Sequence, residues 1–282
     1  MSLDPGVALL VLFSAVLHAT WNALTKASTD RIVTMAGVMG TCALIGGAAS
    51  VFLPAPAPGA LPFLALSAVF HFGYQQFLLG AYRNGDFSLV YPIARGLSPL
   101  LIALLASAFA GEVPRPVQAL GIALASAAMA SFAFEPREPH PGVARSVASA
   151  FACAAMIGSY TFLDGQGVRH SGNAFSYVAW SSWATSLGFC VFALVHTRGR
   201  FAPFFATAGV RGIAGGVLAT LGYGIAVWAM SRGAMASVSA LRETGVVFAA
   251  LIGTHLLGEG FGARRTGAAL CVALGVVLLQ SG

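Results

Sequence analysis

The chain has 282 residues, of which 57% are hydrophobic and only 9% charged, against about 25% charged in an ordinary water-soluble domain. So few charges cannot cover a soluble surface. The net charge of +6 is not gathered into basic clusters interleaved with aromatics, which sets nucleic acid aside as a partner.

Bilayer lipid is the solvent that fits, and a helix needs about 20 mostly apolar residues to cross it. Breaking the chain at charges, prolines and glycine clusters predicts ten spans: 6–25, 32–53, 60–82, 87–109, 115–134, 144–164, 173–196, 209–231, 235–257 and 264–280. The clearest breaks are "PAPAPGALP" (54–62) and "EPREPHPG" (135–142), whose prolines cannot continue a helix. Runs of this length exclude barrel strands, which alternate over about 10 residues. The first span has neither a basic leader nor a small-residue cleavage site, so it is expected to be retained.

Polar residues at membrane depth are costly and tend to face the bundle interior. In chain order, span 1 carries Ser14, His18, Asn22 and Lys26 every four residues, with Trp21 beside them; span 3 carries Ser67, His71, Tyr74 and Gln75. Span 4 adds Ser88, Tyr91, Arg95 and Ser98, with Pro92 expected to bend it. Span 6 adds Tyr160 and ends at Asp164, which reads equally well as solvated. Span 8 adds Tyr223 and Trp228, and span 9 adds Ser239, Arg242 and Glu243. Spans 2, 5 and 10 have almost no such stripe and are expected to face lipid or the outer packing layer. Lys26 is expected to snorkel to the surface, and Trp180 and Trp183 to pack.

Cys42, Cys153, Cys190 and Cys271 lie in apolar runs without paired spacing, which points to core residues and no metal site. The sequence holds no HExxH, no Ser/His/Asp grouping and no P-loop, so neither enzymatic catalysis nor ATP use is expected, nor any cofactor. Lysine and arginine counts on alternate loops give the orientation. Loops after the odd spans hold Lys26, Arg31, Arg83, Arg137, Arg145, Arg198, Arg200, Arg211, Arg264 and Arg265, while the other side holds Arg115, Arg169 and Arg232. The odd loops are therefore expected in the cytoplasm and both termini outside.

An internal repeat emerges when "FGYQQFLLGAYRNGDFSLVYPIARG" (72–96) is set beside "LGYGIAVWAMSRGAMASVSALRETG" (221–245). Gly73 and Tyr74 match Gly222 and Tyr223; Ala81, Gly85 and Val90 match Ala229, Gly233 and Val238; Gly111 and Glu112 match Gly258 and Glu259. The halves are 1–138 and 139–282, with five spans each. Five is odd, so the second half enters the membrane from the opposite side, as an inverted repeat.

With those landmarks in place, "GAYRNGDFSLVYPIARGLSPLLIALLASAFAGEVPRPVQALGIAL" and "AMASVSALRETGVVFAALIGTHLLGEGFGARRTGAALCVALGVVLL" resemble the two EamA-type repeats of the drug/metabolite transporter superfamily. The resemblance implies an all-α integral membrane protein of ten transmembrane helices in two inverted five-helix repeats, around a central substrate cavity and without an ATPase. Members export amino acids and other small metabolites, while relatives carry nucleotide sugars or take up small organic cations.

The residues and the resemblance together predict a secondary active transporter in a cell membrane, the bacterial inner membrane, working by alternating access as a monomer or homodimer. Its expected substrate contacts are His18, Trp21, Asn22, His71, Tyr74, Gln75, Tyr91, Arg95, Tyr160, Tyr223, Trp228, Arg242 and Glu243. Arg95 and Glu243 fall at matching places in the repeat, either as substrate ligands or as a lock between the halves, and Glu243 is the candidate for proton coupling. Arginines suit a carboxylate or phosphonate, whereas Glu243 with Tyr and Trp suits an ammonium group, and a zwitterion satisfies both. Uptake of an organic cation or phosphonate, or flipping of a lipid-linked substrate, are the alternatives. Glu112 and Glu259 are expected to serve turns and helix starts.

Overall fold

The computed structural model describes residues 3–131 apart from 86, 142–198, 202–249 apart from 246, and Ile252, Gly267, Leu270, Cys271, Leu274, Gly275 and Leu278. Span 10, the outer part of span 9 with Gly258 and Glu259, and the "EPREPHPG" break lie outside or almost outside the described residues. Among the described residues there is no strand. The helices are α1 (Pro5–Lys26), α2 (Arg31–Phe52), α3 (Leu61–Asn84), α4 (Phe87–Gly96), α5 (Ser98–Phe109), α6 (Pro116–Ala130), α7 (Val143–His170), α8 (Ala174–His196), α9 (Ala202–Met230) and α10 (Met235–Arg242).

Among the described residues, five stretches, α1, α2, α7, α8 and Gly209–Met230 of α9, are long and apolar enough to cross a membrane. Helices suit lipid because each pairs its backbone groups within itself. Their starts are written locally. Asp4 accepts from the Gly6 and Val7 amides, Asp30 from Val33, and Asn173 from Phe175 and Ser176.

Polarity is distributed inside-out. Leu44, Val51, Phe52, Phe109 and Val210 stand exposed on the outside, while His18, His71, Gln75, Arg95, Asp164, Arg242 and Glu243 are buried. The main helix contacts join the two halves of the chain: α3 packs on α7, α2 on α8 and α9, and α1 on α9. Glycines permit this closeness. A Cβ on Gly46 would lie 2.6 Å from the Ala179 carbonyl, and the Gly37 and Gly212 backbones touch directly.

Three expectations change. Helix α2 faces outward on one side only, through Leu44, Val51 and Phe52, because its glycines let the other side settle between α8 and α9. Span 6 does not end at Asp164: α7 runs on to His170 and buries that carboxylate completely. Spans 4 and 9 are each interrupted at depth.

In span 4 the helix continues through Pro92 to Gly96, and the interruption comes at Leu97, ahead of Pro99. Pro99 has no N–H to give the Arg95 carbonyl four residues back, and the Ser98 hydroxyl donates to that carbonyl at 2.8 Å instead. In span 9, α10 stops at Arg242 with Glu243 as its C-cap. The amides of Glu243, Thr244 and Val247 bond three residues back, a tightened turn.

Candidate functional site

The helices surround a small cavity of about 60 Å³. It is lined by His18 and Trp21 of α1, Met39 and Cys42 of α2, His71, Tyr74 and Gln75 of α3, and Tyr160 of α7. Helix α8 adds Ser182, Thr185 and Ser186, and α9 adds Ala219, Thr220 and Tyr223. Seven of the thirteen expected substrate contacts, His18, Trp21, His71, Tyr74, Gln75, Tyr160 and Tyr223, therefore converge on one space.

One wall is aromatic. The His71 and Tyr160 rings stack at 3.7 Å, with Tyr74 edge-on to both and Tyr223 edge-on to both. On the α1 side, Trp21 Nε1 donates to His18 Nδ1 at 3.3 Å, and Arg242 Nη2 approaches the same nitrogen at 3.4 Å. Indole and guanidinium nitrogens only donate, so Nδ1 is the acceptor and the His18 ring proton sits on Nε2. Several buried polar atoms at the cavity have no hydrogen-bond partner among the described residues: Tyr74 Oη, Gln75 Oε1 and Thr220 Oγ1.

Charges stand directly behind this lining. Arg242, almost wholly buried, places its guanidinium 5.4 Å from the centre of the Tyr223 ring. Arg95 Nη2 donates to Glu243 Oε1 at 2.7 Å, both side chains buried. Among the described residues, Arg95 Nε and Nη1, Glu243 Oε2 and Arg242 Nε have no hydrogen-bond partner. Tyr91 is buried nearby, its ring 6.2 Å from that of His18.

Two expected contacts are placed elsewhere. Asn22 ties α1 to α3: its Nδ2 donates to the His18 carbonyl at 2.9 Å and its Oδ1 accepts from the Tyr82 hydroxyl at 2.8 Å. Trp228 lies in an outward apolar groove with Leu10, Ile45 and Phe175, beneath the Arg232 guanidinium. Tyr223 and Trp228 are five residues apart, and at 3.6 residues per turn their directions differ by about 140°, so they cannot share a face. Lys26 does not simply snorkel; its Nζ donates to the Tyr82 and Gly85 carbonyls at the end of α3.

Sequence reasoning missed other residues. The hydroxyls of α8 stood in plain view as "SSWATS", with Ser182, Thr185 and Ser186 at helical spacing. Met39 and Cys42 carry no polar signal. Asp164 was read as equally likely to be solvated, yet it accepts from the Tyr177 hydroxyl at 2.8 Å through Oδ1 and from the Tyr223 hydroxyl through Oδ2, with His71 Nδ1 4.0 Å away.

A second polar cluster joins the halves at the other end of the bundle. The Glu112 carboxylate pairs with the Arg169 guanidinium and accepts from the Met235 amide at 3.0 Å, and Arg169 donates to the Met230 and Gly233 carbonyls. Glu112 thus serves the start of α10, a helix start in another segment than its own.

Residues 144–281 match the EamA-like transporter family. One crystal structure shares the fold, with TM-score 0.70 over 98% of this chain and 98% of its own, at 16% identity. No curated protein matches the chain.

Proposed function

From the premise that residues 144–281 belong to the EamA-like transporter family, part of the drug/metabolite transporter superfamily, we propose that this membrane transporter is a secondary active exporter of a small zwitterionic, amino-acid-like metabolite. The observation that carries the reading is the cavity itself. It lies between helices of both halves, with arginines and a carboxylate behind an aromatic lining and with unpartnered polar atoms on both signs of charge.

In this reading the chain has ten spans in two inverted repeats, 1–138 and 139–282. The helix interruptions just after Arg95 and at Glu243 support it, since broken helices at mid-membrane are how such repeats build a substrate site. A carboxylate would take the free guanidinium donors, and an ammonium group would lie against Tyr74, Tyr160 and Tyr223. Alternating access would open the cavity in turn to each side, driven by protons or by exchange.

The aromatic wall favours a second reading, a carrier of a small organic cation, because cation–π attraction needs no carboxylate on the solute. Purified protein in liposomes, screened by counterflow with amino acids, phosphonates and quaternary amines, separates the two. Counterflow of amino acids supports the first reading and of quaternary amines alone the second. If no solute moves under exchange or under a pH gradient, the transport reading fails.

A further inference from the structure

Asp164 and Glu243 are both buried carboxylates, but their surroundings differ in kind. Glu243 is held by Arg95 at 2.7 Å. Asp164, wholly buried, accepts hydrogen bonds among the described residues from the neutral hydroxyls of Tyr177 and Tyr223, with His71 beside it. The groups facing it are His71 from α3, Tyr160 from its own helix, Tyr177 from α8 and Tyr223 from α9. The nearest fixed cation on α10, Arg242, lies over the Tyr223 ring. Gly165 lets α10 approach this part of α7, with Met235 where a Cβ would stand.

His71 is oriented for the same task. Its Nδ1 lies 3.1 Å from both the carbonyl and the hydroxyl of Ser67, so it can donate to the carbonyl when protonated and accept from the hydroxyl when not. Nδ1 is also 4.0 Å from Asp164 Oδ2. With one proton shared between them the pair is neutral overall, either as imidazole and carboxylic acid or as imidazolium and carboxylate. With none it leaves an isolated buried anion, which costs several kcal/mol in a dry site.

We propose that Asp164 and His71 together form the proton-binding site of the transporter, and that a cationic group entering the cavity displaces that proton. The inference rests on the transport reading for its consequence, but not for its test. Charge balances: one ammonium group replaces one proton beside the Asp164 carboxylate, and the proton leaves to water. His71, Tyr160 and Tyr223 line the cavity, and the Tyr223 hydroxyl connects that lining to the Asp164 carboxylate. Glu243, held by Arg95, would then be the structural partner and Asp164 the proton carrier.

Infrared difference spectroscopy on the protein in lipid reads carboxyl protonation directly and needs no known solute. The expected result is a carboxyl C=O band that grows in wild type as protons are added, vanishes in Asp164→Asn and persists in Glu243→Gln. His71→Gln, which leaves the carboxylate in place, is expected to shift the midpoint of the same band. The proposal is overturned if no such band titrates, if it survives Asp164→Asn, if it disappears in Glu243→Gln, or if His71→Gln leaves its midpoint unmoved. Failure of every solute in counterflow would sink the transport reading while leaving this band untouched.

Discussion

Arg95 and Glu243 meet at 2.7 Å across the junction between the halves, each at a point where its span stops being a regular helix. The pair is buried on both sides, and among the described residues Glu243 Oε2 and two Arg95 nitrogens find no hydrogen-bond partner. A lock between halves and a substrate site predict different behaviour for the same variants.

Removing one partner strands the other charge, so Arg95→Ala is expected to lower stability by about 3–5 kcal/mol. Replacing both residues with methionine removes the stranded charge and is expected to restore much of that loss. Thermal unfolding in detergent measures both variants. If the pair is only a lock, the double variant transports as well as it folds; if it holds substrate, the double variant folds and moves no solute.

Much of this frame was legible in the sequence, because apolar length and capping residues act locally. The stripes of α1 and α3 led straight to His18, Trp21, His71, Tyr74 and Gln75, since four-residue spacing puts side chains on one face whatever the helix packs against. Trp228 failed for want of the same arithmetic. The place of α2 was hidden because glycine closeness leaves no polar mark, and Asp164 because the two glycines of "GQGVRH" right after it look like a helix end although packing keeps them helical.

The glycine contacts make a prediction with an internal control. A Cβ at Gly46 would stand 2.6 Å from the Ala179 carbonyl, 2.7 Å from Ser182 Cβ and 2.9 Å from the Trp183 amide, mostly backbone that cannot yield cheaply. Gly40, on the same helix, has open space around its Cβ position. Gly46→Ala is expected to destabilise by about 1–3 kcal/mol through overpacking, and Gly40→Ala to be neutral. Equal melting temperatures for the two would show that α2 does not pack as described.

At the other end of the bundle, Glu112 ties the turn after α5 to Arg169 and to the first amide of α10. Glu112→Ala removes a helix-start acceptor, a loss of about 0.5–2 kcal/mol, and frees Arg169. Ser237, buried beside this cluster on α10, becomes the reporter. Ser237→Cys is expected to react faster with an impermeant maleimide when Glu112 is alanine. An unchanged rate would mean that the cluster is no barrier to entry from that side.

The sidedness of the whole assembly rests on ten basic residues facing three, and the structure adds one argument to that count. Arg211 lies inside α9, not in a loop, yet its guanidinium reaches the Ala27 carbonyl at the end of α1, so it stands on the same face as Lys26 and Arg31. Helix α2 separates this face from the one holding Ala55, and both Thr29 and Ala55 are exposed. With Cys42, Cys153, Cys190 and Cys271 replaced by alanine, single cysteines at these two positions report the orientation. An impermeant maleimide added to intact cells is expected to label Ala55→Cys and to leave Thr29→Cys unreacted until the cells are opened. The opposite pattern would invert the orientation and place the Glu112 and Arg169 cluster on the cytoplasmic side.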